Sequence, residues 1–394
     1  MRFLIAFDKF KDALTAPEAC SAAADVVRRR FPGSEVDECP LADGGEGFGS
    51  ILTAAAGGQW VDAEVTGPQG NPVPAGFGLV AMGSVPPAAR ARLVRSAAGT
   101  GGSGSPDGVL GVVEMAVASG LQLVPRDLRD PWRATSYGTG ELMRLAVAAG
   151  ASALLLGVGG SATHDLGLGA LSALGLRMAD AAGRSVAPPY PRDWHRIATL
   201  GGQIELPPLY LACDVSNPLL GPRGAAAVYG PQKGLRAAEG ERMEQETRTM
   251  ALRLCLWAGS AEAVMAEPGA GAAGGIGFGM RAGAGAQLVS GADLIADWLD
   301  LHRRVAAADV VLTGEGRFDL SSAEGKGPGA LAKLAAAQGK VVQVFAGQVD
   351  LPAAALAPRW RTHSITPAGM PLAEALAAAE MNLRRSVGEA SLLE

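Results

Sequence analysis

Cysteine is scarce in this chain. Four occur among 394 residues, Cys20, Cys39, Cys213 and Cys255, and none forms a Cys-x-x-Cys pair. A disulfide framework is therefore not expected, and a reducing, cytoplasmic setting is the simplest reading. Basic blocks are also missing. The net charge is −5 and aromatic residues make up 5%, which argues against nucleic acid as a main partner. The four histidines, His164, His195, His302 and His363, show no zinc-ligand spacing, so no structural metal is expected. MRFLIAFDKFKD holds a five-residue apolar core before Asp8, too short for a signal peptide. The longest uncharged run, LAVAAGASALLLGVGGSAT, is broken by Gly150 and the GVGG cluster. It reads as helix, turn and strand, so no membrane partner is expected. A Walker A loop is absent as well: Gly325-Lys326 is followed by Gly, and Gly339-Lys340 by Val. The loop set of protein kinases is missing too.

What is present is a long, apolar chain. Hydrophobic residues account for 48%, and the length predicts two domains. RFLIAF reads as a buried strand. Thr15-Ala-Pro-Glu18 fits a capping box, opening a helix that ends at Arg28-Arg29-Arg30. SEVDECPLAD, VLGVVEMA, ASALLLGVG, LYLACDVSN and KVVQVFAG read as further strands, and DVVLTGEGRFD as a strand running into a loop. GTGELMRLAVAAG, residues 292–308 and GALAKLAAAQG read as helices. AAGTGGSGSPDG reads as a flexible hairpin tip. Strands alternating with helices imply an α/β protein with mainly parallel sheets. In such sheets ligands gather at the carboxyl ends of the strands, where Asp8, Asp43, GGSAT, Asp214 and TGEGRFD fall.

GVGGSA, from Gly157 to Ala162, satisfies G-x-G-x-x-A after a strand, with Asp180 about twenty residues on, after a possible strand LRMAD. Its glycines suit an approaching phosphate. Two ligands are compatible at this stage, a dinucleotide in an NAD(P)-linked dehydrogenase or the phosphates of a Mg²⁺-nucleotide. Ser161, Thr163, His164 and Asp165 on its rim favour the second. A ligand-free strand–helix turn is the structural alternative. GAGAAG at Gly269–Gly274 follows no strand and is a chance match to the dinucleotide pattern. In ADGGEGF, Asp43 and Glu46 flank two glycines and suit a hard cation or an alcohol proton, or a helix cap. Glu315, Arg317, Asp319 and the downstream Lys326 suit a phosphoryl group with a metal, or a surface ion-pair cluster. Asp8, Lys9 and Lys11 precede a helix, and Asp214 and Asn217 follow a strand.

Taken in series, FDKFKDALTAPEA, PLADGGEGF, TSYGTGEL, GVGGSATHDLGLGALSALG, ACDVSNPLLGPRGAAAVYGPQKG, GAGAAGGIGFG and DVVLTGEGRFD with GKGPGALA resemble the signatures of the bacterial glycerate kinase family, in order and across nearly the whole chain. His164 and Leu166 depart from the Asn and Gly usual there, Lys9 stands where Ser is usual, and Ser321 where Gln is usual. The resemblance implies ATP- and Mg²⁺-dependent phosphorylation of D-glycerate, mostly to 2-phosphoglycerate. It also implies two α/β domains, one flavodoxin-like and one restriction-endonuclease-like, with the active site in the cleft between them. The first would comprise 1–72 with 288–394, and the second, inserted, 73–287. On the matched positions Asp43 is the expected general base, with Asp8 in reserve. Lys11 and Arg317 are expected to hold the glycerate carboxylate or γ-phosphoryl. Gly159, Gly160, Ser161, Thr163, Glu315 and Lys326 are expected at the nucleotide, Asp165 and Asp214 at Mg²⁺, and Glu46, Asn217 and Asp319 at the substrate. A monomer or homodimer is expected. The rival readings are the dehydrogenase and a non-catalytic small-molecule binding protein.

Overall fold

A computed structural model of the chain describes residues 1–97, 108–323, 327–351 and 360–394. In chain order its strands are β1 (Arg2–Phe7), β2 (Glu35–Glu38), β3 (Gln59–Thr66), β4 (Pro72–Ala81), β5 (Val109–Glu114), β6 (Ala153–Gly157), β7 (Leu176–Ala179), β8 (Thr199–Gly202), β9 (Leu209–Ala212), β10 (Gln287–Val289), β11 (Val310–Asp319), β12 (Val341–Asp350) and β13 (Trp360–Ser364). The chain separates into two compact units. One joins Met1–Asp43 to Ile295–Glu394, and the other is Gly44–Leu294.

The unit made from both chain ends carries a five-stranded sheet, β13-β12-β11-β1-β2, in which every neighbouring pair is parallel. β1 lies inside the sheet, and Phe3 through Phe7 are fully buried, as the unbroken apolar run of a strand covered on both faces requires. The helix Ala16–Arg30 packs on it through Ala19, Cys20, Ala23 and Val27. Both arms of the capping box at Thr15 are present, with Glu18 returning to the Thr15 N–H at 2.9 Å. Thr15→Ala should cost about 1 kcal/mol, read as a lowered urea midpoint at unchanged slope. At the far end Arg30 donates to the carbonyls of Val387 and Ala390, at 2.6 and 2.9 Å. It thereby ties this helix to the end of the helix Ala379–Glu389.

The inner unit carries a six-stranded sheet, β10-β9-β6-β5-β4-β3. β10, β9, β6 and β5 are parallel, and β4 and β3 extend the sheet as an antiparallel hairpin. Its core gathers Leu154, Leu156, Leu166, Leu168, Ile276 and Phe278. β7 and β8 form a separate antiparallel pair.

Three expectations change in outline. Breaks after residues 72 and 287 would part β3 from β4 and divide β10; the compact units part at Asp43/Gly44 and Leu294/Ile295 instead. The helix expected over 292–308 is two helices, Gly291–Trp298 and Leu301–Ala307, broken where Asp300 adopts φ +52°. TGEGRFD is strand rather than loop, because β11 stays paired with β12 as far as Asp319 opposite Asp350. A helix absent from the sequence reading, Pro87–Ala97, precedes the expected hairpin tip, which at 98–107 lies outside the described residues.

Candidate functional site

In the unit of both chain ends, the strand order reverses direction between β1 and β11: β2 lies on one side of β1, and β11, β12 and β13 follow on the other. The carboxyl end of such a switch point is where open parallel sheets leave a crevice for ligands. Asp8 sits there directly after β1, its N–H bonded to the Gly314 carbonyl at 3.0 Å, and Glu315 follows Gly314 on β11. Asp8 is 5% exposed. Burial pushes its carboxyl up to about 6; Lys9 opposes the rise and Asp43 adds to it. Lys9 bridges the two acids, with Nζ 3.2 Å from Asp43 Oδ1 and 3.6 Å from Asp8 Oδ1. Burial pushes Glu315 up to about 7. A hydrogen bond with Ser322 opposes that, and the charges of Asp8, Asp43 and Asp319 reinforce it. Glu315 Oε1 is buried without a hydrogen-bond partner.

These shifts place Asp8, Asp43, Glu315 and Asp319 in one field. Arg317 balances its outer side, 2.7 Å from Asp350 and 3.9 Å from Asp319, with its side chain 66% exposed. Lys11 is exposed, and Lys326 lies outside the described residues. Two acids held near neutrality by burial and mutual repulsion, with cations at their edge, can exchange a proton with an alcohol or accept a hard cation.

The inner unit places the other expected residues, and most are turned inward. The Gly159 N–H is bonded to the Gly44 carbonyl at 2.9 Å, and a Cβ on Gly159 would lie 2.6 Å from Gly45 Cα. The two glycine motifs thus interlock backbone to backbone, a contact that side chains would prevent. Glu114, buried at the end of β5, accepts from the N–H groups of Gly47 and Gly49 at 3.1 and 3.0 Å, while Glu46 beside them is exposed. Ser161 accepts from the buried Lys233 at 2.8 Å, and Lys233 also donates to the Thr163 carbonyl at 2.6 Å. Burial pushes the Lys233 ammonium down to about 7, while Asp165 favours its charge. Gly160 is exposed and is the outward point of the loop.

Asp165 is fully buried and accepts from the Ser136 N–H and hydroxyl, at 2.7 and 2.8 Å, and from the N–H groups of Gly167 and Gly169. Burial raises its pKa against those donors. Both oxygens are engaged in folding the loop, not turned out toward the Mg²⁺ expected there. Asp214, also expected at Mg²⁺, accepts from the Ser290 hydroxyl and the Ala292 N–H, capping the helix Gly291–Trp298. Asn217, expected at the substrate, donates to the Arg223 carbonyl and accepts from the Tyr229 hydroxyl. His164 is buried against Thr247 at 3.0 Å; burial first, and then the Lys233 charge, push its pKa down to about 3 and keep it neutral. Among the described residues no group of three or more His, Cys, Asp or Glu side chains is arranged to hold a metal ion, and no helix is long and apolar enough to cross a membrane.

The dinucleotide context fails on geometry. The helix after GVGGSA begins only at Leu168 and ends at Ala173. LRMAD belongs to the separate β7–β8 pair, and Asp180 is spent on its own turn, accepting from Ala182 and Arg184. Sequence reasoning gives no role to Lys233, Glu114, Ser136 or Asp350 and leaves that of Lys9 open; each supports a site residue here. Lys9 and Lys233 stand inside recognisable motifs, FDKFK and GPQKG. Glu114 and Asp350, the last residues of β5 and β12, carry no local signal. GAGAAG, a chance match to the dinucleotide pattern, serves packing instead. Gly274 lies against the Thr163 carbonyl, and its own carbonyl accepts from the Leu166 N–H at 3.1 Å.

The sequence model described as the glycerate kinase family matches residues 3–392. A glycerate kinase of Bacillus subtilis strain 168 is 37% identical over 392 residues, covering 98% of this chain and 96% of that protein. A glycerate 2-kinase of Escherichia coli K12 is 36% identical, covering 89% of this chain and 86% of that one. The crystal structure of a Salmonella typhimurium LT2 protein described as a putative glycerate kinase 2 superimposes with a TM-score of 0.73 at 34% identity, covering 98% of this chain and 96% of that chain. The match runs end to end in sequence and in fold, and the chain belongs to the glycerate kinase family.

Proposed function

We propose that this kinase transfers the γ-phosphoryl group of ATP to D-glycerate and that the product is 2-phosphoglycerate. The observation that carries the reading is the acidic group at the β1–β11 switch point, above all Asp8, buried and pushed up to about 6. An alcohol acceptor needs a proton acceptor whose pKa lies near the working pH. Asp8 meets that requirement better than Asp43, whose side chain is 49% exposed and paired with Lys9. In the step, the glycerate hydroxyl oxygen bonds to the γ-phosphorus, and the bond from that phosphorus to the bridging oxygen breaks to leave ADP. The hydroxyl proton passes to Asp8. Lys11 and the exposed guanidinium of Arg317 meet the glycerate carboxylate or the transferring group, and alignment supplies most of the acceleration.

Mg²⁺ accompanies ATP in this reading. It takes oxygen ligands, often one or two carboxylates plus phosphates. Glu315, whose Oε1 is buried without a hydrogen-bond partner, fits as a protein ligand, with Asp319 beside it. When bound, the cation neutralises charge on the β- and γ-phosphates. The nucleotide phosphates approach the exposed Gly160 edge of the GVGGSAT loop. Choice of the 2-hydroxyl leans on the name of the Escherichia coli relative. A flavodoxin-like assignment for the unit of both chain ends is supported by its strand order, which is 2-1-3-4-5 when numbered within the unit.

Coupled ADP release with phosphorus NMR of the product tests the proposal. Turnover should require D-glycerate, ATP and Mg²⁺ together and yield a phosphate ester on the secondary carbon. An ester on the primary carbon would move the product to the 3-position, and ADP release indifferent to glycerate would overturn the reading.

A further inference from the structure

We propose that Lys233 is a positioning residue whose buried ammonium holds the Ser161–Thr163 segment, and with it the outward Gly160, in the form that receives nucleotide phosphate. This rests on the reading of that loop as facing the nucleotide.

Lys233 is 2% exposed and ends the short turn Pro231–Lys233. Both groups it bonds, Ser161 Oγ at 2.8 Å and the Thr163 carbonyl at 2.6 Å, lie within three residues of Gly160. An ammonium is donor-only, so the pair of acceptors fixes the segment from one side. The other constraints act elsewhere on it. The Ala162 N–H is bonded to the Ser119 carbonyl at 2.9 Å, Gly274 packs against Thr163, and Asp165 closes the turn that follows. Lys233 is thus a cationic clamp on the segment next to the exposed point of the loop. Burying such a charge costs several kcal/mol, and an apolar side chain would fill the space without that cost. The ammonium supplies two hydrogen bonds to acceptors that would otherwise be left unmade. It also adds positive charge behind a loop that receives an anion.

The test compares wild type with Lys233→Met, Ser161→Ala and Gly160→Asp. The readouts are the Kd for ATP by calorimetric titration and the KM for each substrate. Lys233→Met should weaken ATP about tenfold or more, with the glycerate KM held within about twofold, because an unmade buried hydrogen bond acts where the loop meets the nucleotide. Ser161→Ala removes one of the two acceptors and should give a smaller shift of the same kind; it carries the test if Lys233→Met does not fold. Gly160→Asp probes the underlying reading. Gly160 has φ +71°, a conformation Asp tolerates better than most residues; a Cβ there would lie 3.4 Å from Ala116 Cβ, and the added carboxylate is meant to repel phosphate at this exposed point. If Gly160→Asp weakens ATP while Lys233→Met and Ser161→Ala change only the melting temperature, Lys233 is structural and the inference falls. If Gly160→Asp also leaves ATP affinity unchanged, the loop does not face the nucleotide and the reading beneath it fails.

Discussion

Asp8→Asn is expected to leave the fold intact and to lower kcat by about 10²–10⁴-fold, the usual worth of a positioned acid or base. The fold should survive because the Asn carbonyl oxygen can still accept from the Lys9 N–H, the 2.7 Å bond that Asp8 Oδ1 makes now. What disappears is the group that takes the proton in the proposed step. Its titration gives a second signature. Asp8 is raised to about 6, and in the proposed step it acts in its ionised form. Wild-type kcat/KM should therefore rise with pH through about 6 and fall away below it as the carboxyl protonates; the Asn variant should lack that limb. Glu315, pushed up to about 7 in the same field, will broaden the profile, since neighbouring acids titrate together. A loss within about threefold for Asp8→Asn, with a far larger one for Asp43→Asn, would return the base role to Asp43.

Asp165→Asn should have the largest effect on stability, about 3 kcal/mol or more. Both carboxylate oxygens of Asp165 are engaged in the interior: the Ser136 N–H and hydroxyl and the Gly169 N–H converge on Oδ2, and Gly167 donates to Oδ1. An amide can keep one oxygen as acceptor, but its NH₂ then meets donors head-on. A melting temperature lower by roughly 5–10 °C is the expected readout, with the Mg²⁺ dependence of the remaining activity unchanged. A shifted Mg²⁺ requirement at an unchanged melting temperature would restore the metal role that the family resemblance implies for this residue.

The contrast between Asp8 and Asp165 shows how far sequence alone carries. The strands were legible because RFLIAF and ALLLG are unbroken apolar runs, and the helix after Thr15 because its capping box is local. Both aspartates follow or lie near an apolar strand within polar, motif-like surroundings, so as strings they are equivalent candidates. What separates them is non-local: Asp8 meets Glu315, 307 positions away by sequence number, only because β1 pairs with β11, and Asp165 is saturated by Ser136 and the turn at Gly167–Gly169. The glycines of GGEG and GVGG read as making room for a phosphate, and those at Gly44, Gly45 and Gly159 make room for each other. The family pattern supplied the activity class, and the side-chain geometry is the ground for the different roles proposed within it.

The pairing of β1 with β11 also sets an order of events during synthesis. β1 precedes every other strand described here and sits inside its sheet, yet one of its two neighbours, β11, begins only at Val310. At about 5–20 residues per second, the apolar run Phe3–Phe7 waits roughly 15–60 s for that partner, while all of Gly44–Leu294 emerges and has time to collapse. The nascent chain therefore completes its second-encoded unit first and its first-encoded unit last. In the interval, the self-capped helix Ala16–Arg30 and the short β2 are the native partners the strand already has.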